Sequence, residues 1–321
     1  MPPQKKGVKS MIKIAIDWSV TKDMVYTQDG EKVKKIPATK ESFQKFLDKL
    51  NGDIGLYFEA GGGDVFKLMA NQKGYKIFTI PGKRTKEERE KLNIEKTDEN
   101  DVVIIHSMAV NKPKMFRQFN ERDILVSKIC IAFKSRQDVE ESLVRAKNRL
   151  FALESQMDLL NIPKKDREKR IQNKKAIIEQ LEKDFTYETK SLEKLVKQHP
   201  LWESYFKDEK GIGPAVAGGI ISQVKDVKRF DDKYSLRHYA GMITKKGNNG
   251  YNRKLKRALY FFATGIIKNK NPKWRELYDN MKIYYADKHS DWKPGKVNNY
   301  AIKFVQTKFL DNFYKKSLEV G

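Results

Sequence analysis

The spacing of apolar positions divides the chain into three parts. Over residues 11–82 short apolar runs alternate with amphipathic stretches. "MIKIAIDWS" (11–19) reads as a strand with Asp17 near its C-terminal end. "KDMVYTQDG" and "EKVKKIPA" read as two more, with Asp29-Gly30 as a hairpin turn. "TKESFQKFLDKL" (39–50) predicts a helix capped by Thr39, with Phe43, Phe46, Leu47 and Leu50 on one face. "DIGLYFEA" (53–60) is a buried strand ending in Glu59. "GGGDVFKLMANQKG" is a glycine-rich turn into a helix, and "YKIFTI" (75–80) is a further strand. The order β-β-β-α-β-α-β predicts a mixed sheet flanked by helices.

From residue 122 to 198 the period becomes seven. Leu143, Leu150, Leu153, Met157 and Leu160 form one seam; Ile171, Ile178, Leu181, Phe185, Leu192 and Leu195 form another. Pro163 in "NIPKK" separates them, which predicts a long antiparallel helical hairpin acting as a spacer or dimerisation arm. Residues 199–321 read as mostly helical. Aromatic and apolar residues at helical spacing in "NPKWRELYDNMKIYYADK" and "VNNYAIKFVQTKFLDNFYKK" are expected in the core. The predicted domains are therefore a basic tail (1–10), an α/β domain (11–121), a coiled-coil arm (122–198) and a mostly α C-terminal domain (199–321).

Charge adds a partner to this outline. With 66 Lys and Arg against 42 Asp and Glu, the net charge is +24, which favours a polyanion, nucleic acid ahead of an anionic membrane surface. The single cysteine, Cys130, cannot form an internal disulfide, and four scattered histidines exclude a Cys/His zinc cluster. No apolar run approaches a membrane span, and "MPPQKKGVKS" lacks a signal-peptide core, so a soluble, cytoplasmic protein is expected.

Three constellations carry candidate chemistry. The first is a set of acids: Asp17 and Glu59 at strand ends, and Asp98 and Asp101 three residues apart at the start of a predicted helix. Two acids there could simply favour the helix N-terminus. Residues three apart nevertheless share a face and can aim at neighbouring strand ends, and four hard oxygen donors suit a pair of Mg²⁺ ions for phosphoryl transfer. The second is "GIGPAVAGGI" (211–220), where Gly211 and Gly213 read either as a helix-hairpin-helix turn approaching a phosphate or as a tight turn between packed helices. The third is the stretch 233–275, with twelve Lys or Arg and no acid. Its Lys245, Lys246, Arg253, Lys254, Lys256 and Arg257 are candidates for phosphate-backbone contact. "EAGGGD" (59–64) has neither a Walker Lys-Ser/Thr nor a G-x-G-x-x-G pattern, and reads as a turn beside Glu59.

In this order, "IAIDWS", "YFEAGGG" and "KTDENDVV" resemble the acid tetrad of transposases of insertion-sequence family 110, relatives of the Piv invertase. "GIGPAVAGGIISQVKDVKRFDDKYSLRHYAGM" followed by "YNRKLKRALYFFA" resembles that family's C-terminal domain. The resemblance implies a RuvC-like, RNase H-like N-terminal domain binding Mg²⁺ through Asp17, Glu59, Asp98 and Asp101. It further implies DNA strand exchange in a homodimer or homotetramer, with an element-encoded guide RNA as second partner. The family's Ser-Gly, carrying its proposed nucleophile, has no counterpart: after Gly241 the next serine is Ser290, and the nearest hydroxyls, Thr244 and Tyr251, match no motif. No nucleophile is assigned. The expected function is a DNA transposase or recombinase. The alternatives are a RuvC-like structure-specific nuclease and a non-catalytic nucleic-acid-binding derivative of a transposase.

Overall fold

The computed structural model describes residues 11–18, 22–243 and 250–320. The chain divides into two compact units, Met1–Ser127 and Lys128–Gly321.

The first unit is built on strands β1 (Ile12–Asp17), β2 (Met24–Thr27) and β3 (Val33–Ile36), an antiparallel meander whose tight turn sets Gly30 at φ +81°. Helix α1 (Lys40–Lys49) follows. The Thr39 side chain caps it by accepting from the Ser42 N–H at 3.2 Å, and the helix buries Phe43, Phe46 and Leu47. Strand β4 (Ile54–Ala60) pairs parallel with β1, and after helix α2 (Asp64–Gln72) strand β5 (Lys76–Pro81) pairs parallel with β4. Helices α3 (Gly82–Lys91) and α4 (Asp98–Asn111) lead to β6 (Arg117–Gln118), a two-residue antiparallel edge. The sheet order is β3-β2-β1-β4-β5-β6.

Alternation along the strands divides the core. Ile14, Ile16, Leu56 and Phe58 face Phe43, Phe46, Leu47 and Phe66 of α1 and α2. Ala15 and Tyr57 face the other way, onto Ile104, Ile105 and Met108 of α4. The same period of two carries Asp17 and Glu59 to the α4 side. Because Ala15 is level with Tyr57 in the parallel register, Asp17 and Glu59 end level as well.

Helix α5 (Glu121–Leu159) starts in the first unit and runs into the second, followed by α6 (Lys164–Val196). The two touch through Arg136–Thr189 (3.1 Å), Lys147–Glu182 (2.6 Å) and the ion pair of Asp158 with Arg167. Seam residues Leu143, Leu150, Leu153, Ile171, Leu181, Phe185 and Leu195 are half-buried. Met157, Ile178 and Leu192 are buried and Leu160 is exposed. At the turn between the helices, Arg167 donates to the Ile162 and Met157 carbonyls.

Beyond a π-helical turn (Trp202–Phe206) come α7 (Pro214–Val224), α8 (Lys233–Tyr239), α9 (Arg253–Lys268), α10 (Pro272–Lys288) and α11 (Pro294–Val320). Phe206, Phe262, Trp274, Phe309 and Phe313 form their aromatic core, with the Phe262 and Phe309 rings 3.8 Å apart. A half-buried ion pair between Arg237 and Asp311 joins α8 to α11. Among the described residues no helix is long and apolar enough to cross a membrane.

Candidate metal centre and nucleic-acid interface

Asp17 is the last residue of β1, and Glu59 lies one residue before the end of β4. On the face they share, Asp98 and Asp101 occupy the first turn of α4, where the Thr97 hydroxyl caps the helix by accepting from the Asn100 N–H at 3.1 Å. Burial, followed by the nearby carboxylates of Asp98, Glu59 and Asp101, pushes the Asp17 carboxyl up to about 7, with a hydrogen bond from the Trp18 backbone N–H partly opposing the rise. Four acids separated by up to 84 positions in the chain thus share one electrostatic neighbourhood.

Their immediate partners differ. Asp101 is buried and ion-paired with the equally buried Arg89 of α3. The Glu59 carboxylate lies against the first residue of α3: a Cβ at Gly82 would sit 2.9 Å from Glu59 Oε2. Glu99, between the two aspartates, points elsewhere and pairs with Lys35 of β3 at 2.6 Å, which holds its carboxyl below the usual range. Among the described residues no three His, Cys, Asp or Glu side chains converge tightly enough to hold a metal ion as they stand.

The glycine-rich turn after β4 has a packing role. Cβ atoms at Gly62 or Gly63 would come within 3.3 Å of the Trp18 ring, and Gly63 also has φ +73°. Trp18, directly after Asp17, sits on these glycines and against Phe43, ring centres 4.9 Å apart. Buried Lys67 of α2 closes the turn by donating to the Gly62 carbonyl at 2.6 Å and the Glu59 carbonyl at 3.5 Å.

In the second unit, helix α9 divides cleanly. Leu255, Ala258, Leu259, Phe262, Ala263 and Ile266 are buried, whereas Arg253, Lys254, Lys256, Arg257, Tyr260 and Phe261 are exposed. The four cations occupy the helix N-terminus, where the macrodipole opposes positive charge, so local helix energetics do not account for them. Asn252 anchors this end: its side chain accepts from the Leu255 N–H (2.8 Å) and donates to Tyr239 (2.7 Å) and Gln223 (3.2 Å). Lys245 and Lys246, with Thr244, lie outside the described residues. Gly213 is the exposed N-cap of α7. Gly211, at φ +95°, is packed: a Cβ there would meet the Gly265 carbonyl oxygen of α9 at 2.7 Å.

Two family models match the chain. The DEDD transposase family of IS110 covers residues 14–157, and the IS116/IS110/IS902 transposase family covers residues 203–279.

The chain belongs to the IS110 family of transposases.

No curated protein matches it. The first IS110 match contains all four acids of the metal candidate, and the second contains Gly211, Gly213 and the basic face of α9. Arg89, Lys67 and Gly82, which touch Asp101 or Glu59, carry no signal in the sequence. Each sits in a stretch that reads as charged surface or turn, and only the tertiary contact gives it a role.

Proposed function

We propose that this IS110-family chain is a DNA transposase whose N-terminal unit is an RNase H-like, RuvC-like nuclease domain. Support comes from the strand order, an antiparallel β1–β2–β3 meander extended by parallel β4 and β5. It comes also from four acids occurring in the order Asp, Glu, Asp, Asp that the family name spells. The reading rests on the level ends of β1 and β4, which carry Asp17 and Glu59, beside the first turn of α4. It rests also on the burial, and then the carboxylates of Asp98, Glu59 and Asp101, that raise the Asp17 carboxyl. Such a concentration of negative charge is unfavourable without a cation. The donor set is all hard oxygen, which fits Mg²⁺.

In this reading Asp17, Glu59, Asp98 and Asp101 hold one or two Mg²⁺ ions. The bound metal supplies Lewis-acid activation of the nucleophile and charge stabilisation at the scissile phosphate. The chain's own residues do the positioning. Arg89 restrains Asp101, Gly82 leaves room for the Glu59 carboxylate, and Trp18 and Lys67 fix the ends of β1 and β4. The basic face of α9 (Arg253, Lys254, Lys256, Arg257), with the Gly213 end of α7, grips the DNA backbone. Helices α5 and α6 form an antiparallel hairpin arm that joins subunits into a dimer or tetramer, and a guide RNA encoded by the element is a second partner.

The test is strand transfer by purified protein on duplex element ends, with the flanking noncoding RNA and Mg²⁺. Joined products that disappear in Asp17→Ala support the proposal. Absence of cutting and joining in the wild type rejects it and leaves a nucleic-acid-binding derivative. The missing Ser-Gly motif favours a second reading, a structure-specific nuclease using water. Free 5′-phosphate and 3′-hydroxyl ends without a protein–DNA adduct would select it.

A further inference from the structure

The corner between α10 and α11 departs from the core role that its aromatic residues suggest in sequence. The first half of α10 does pack inward, with Trp274 and Tyr278 buried. After Tyr278 the pattern inverts: Ile283 is 62 % exposed, Tyr284 48 % and, across the corner on α11, Tyr300 42 %.

Tyr284 and Tyr300 belong to one connected set of rings. Tyr284 lies 5.4 Å from Tyr285. Tyr285 stacks on Trp292 at 6.2 Å and meets Tyr300 at 5.7 Å. Trp292 is 4.5 Å from Tyr300 and stacks on His289 at 3.8 Å. Lysines accompany the rings. Lys296 Nζ is 4.0 Å from the Trp292 centroid, and Lys288 Nζ donates to the Tyr284 hydroxyl at 3.0 Å. From 282 to 303 there are five lysines (282, 288, 293, 296 and 303) against Asp287 and Asp291.

Closing a helix corner accounts for the inner rings, Tyr285, His289 and Trp292. It does not account for Tyr284 and Tyr300, which keep about half of their surface in water although Lys288 lies over the Tyr284 ring and Trp292 and Tyr285 flank the Tyr300 ring. Flat, pre-positioned aromatic faces beside lysines are what a strand with unpaired bases requires: the bases stack and the phosphates find cations. A duplex keeps its base faces covered and cannot use such a surface. The corner also lies beyond residue 279, where the second family match ends.

We propose that the α10–α11 corner binds single-stranded nucleic acid, with unpaired bases stacked on Tyr284 and Tyr300 and flanking phosphates on Lys288 and Lys296. The site is separate from the duplex grip assigned to α9 and does not depend on the acid tetrad.

The experiment uses the full chain and fluorescence anisotropy with labelled oligo-dT, oligo-rU and a duplex of equal length. Tyr284→Ala/Tyr300→Ala is expected to weaken single-strand binding at least about tenfold while leaving duplex affinity unchanged, since each base stack contributes roughly a fivefold effect or more. The melting temperature should fall only slightly, because Tyr300 gives up its contacts with Tyr285 and Trp292, and the unchanged duplex affinity shows that the fold survives. Tyr284→Phe/Tyr300→Phe, which keeps the π faces, should bind as wild type. A loss confined to the dT or the rU arm supports the site and identifies the strand. An unchanged affinity for both strands, or an equal loss for the duplex, overturns it. Asp17→Ala should retain single-strand binding, so failure of the recombinase reading and failure of this one are distinguishable.

Discussion

The Arg89 guanidinium donates to the Asp101 carboxylate between α3 and α4, and both residues are at least nine-tenths buried. This is the one ion pair that a member of the acid set makes among the described residues. Removing one partner leaves a charge in a site that water barely reaches. Arg89→Met should therefore destabilise the metal-free protein by about 3 kcal/mol, read by urea denaturation in EDTA. Adding Asp101→Asn should restore part of the loss, since neither charge then remains. Additive losses would mean that the pair is not a pair in solution.

The elevated Asp17 carboxyl makes the metal-free fold pH-dependent in a defined direction. Its folded value is about 7, against 3.8 as the ordinary value, so the folded state holds an extra proton between those limits. Where the native state binds more protons, stability falls as pH rises. Wild type and Asp17→Asn should be similar near pH 4. The variant should gain an advantage up to about pH 7 that stays constant above it. Parallel curves from pH 4 to 8 in EDTA would remove the electrostatic basis of the metal proposal.

Gly82 offers a way to disturb Glu59 without disturbing the fold. The atom that an added Cβ would meet is the end of a flexible side chain, Glu59 Oε2 at 2.9 Å, and φ at Gly82 is not left-handed. Gly82→Ala should keep the unfolding free energy within about 0.5 kcal/mol of wild type. It should raise the Mg²⁺ concentration needed for half-maximal cutting. Unchanged metal dependence would detach Glu59 from the metal site.

On α9 the expected signature is ionic. Arg253→Ala and Lys254→Ala should each weaken duplex binding and lower the slope of log K against log salt by about 1 for each phosphate no longer neutralised. A weakened affinity with an unchanged slope would point to misfolding of the helix end instead.

Most of the sheet was legible because its strands announce themselves as short apolar runs with a hairpin turn at Gly30, and because Thr39 stands where a cap belongs. Helix α3 was not. "GKRTKEEREK" contains no apolar stripe, and what it buries, Thr85 and Arg89, is polar. The pair of β6 residues is too short to leave a period. Asp17, Glu59, Asp98 and Asp101 could be nominated from strand ends and helix spacing, whereas the lining contributed by Gly82, Arg89 and Lys67 depends on contacts between distant segments. In "GIGP" the two readings divided by residue: Gly211 is spent on close packing with Gly265, and Gly213 stays open. On α10 and α11 helical spacing assigned core to Trp274, Tyr278 and Phe309 correctly, but carried no mark of where the core ends, so Tyr284 and Tyr300 read as interior.

The indole of Trp18 rests on backbone where any side chain at 62 or 63 would have to stand. An added Cβ at either position would need the indole to give by a few tenths of an ångström, and at 63 it would also meet a left-handed backbone, so a relative that replaces Gly63 should carry asparagine there or a smaller residue in place of the tryptophan.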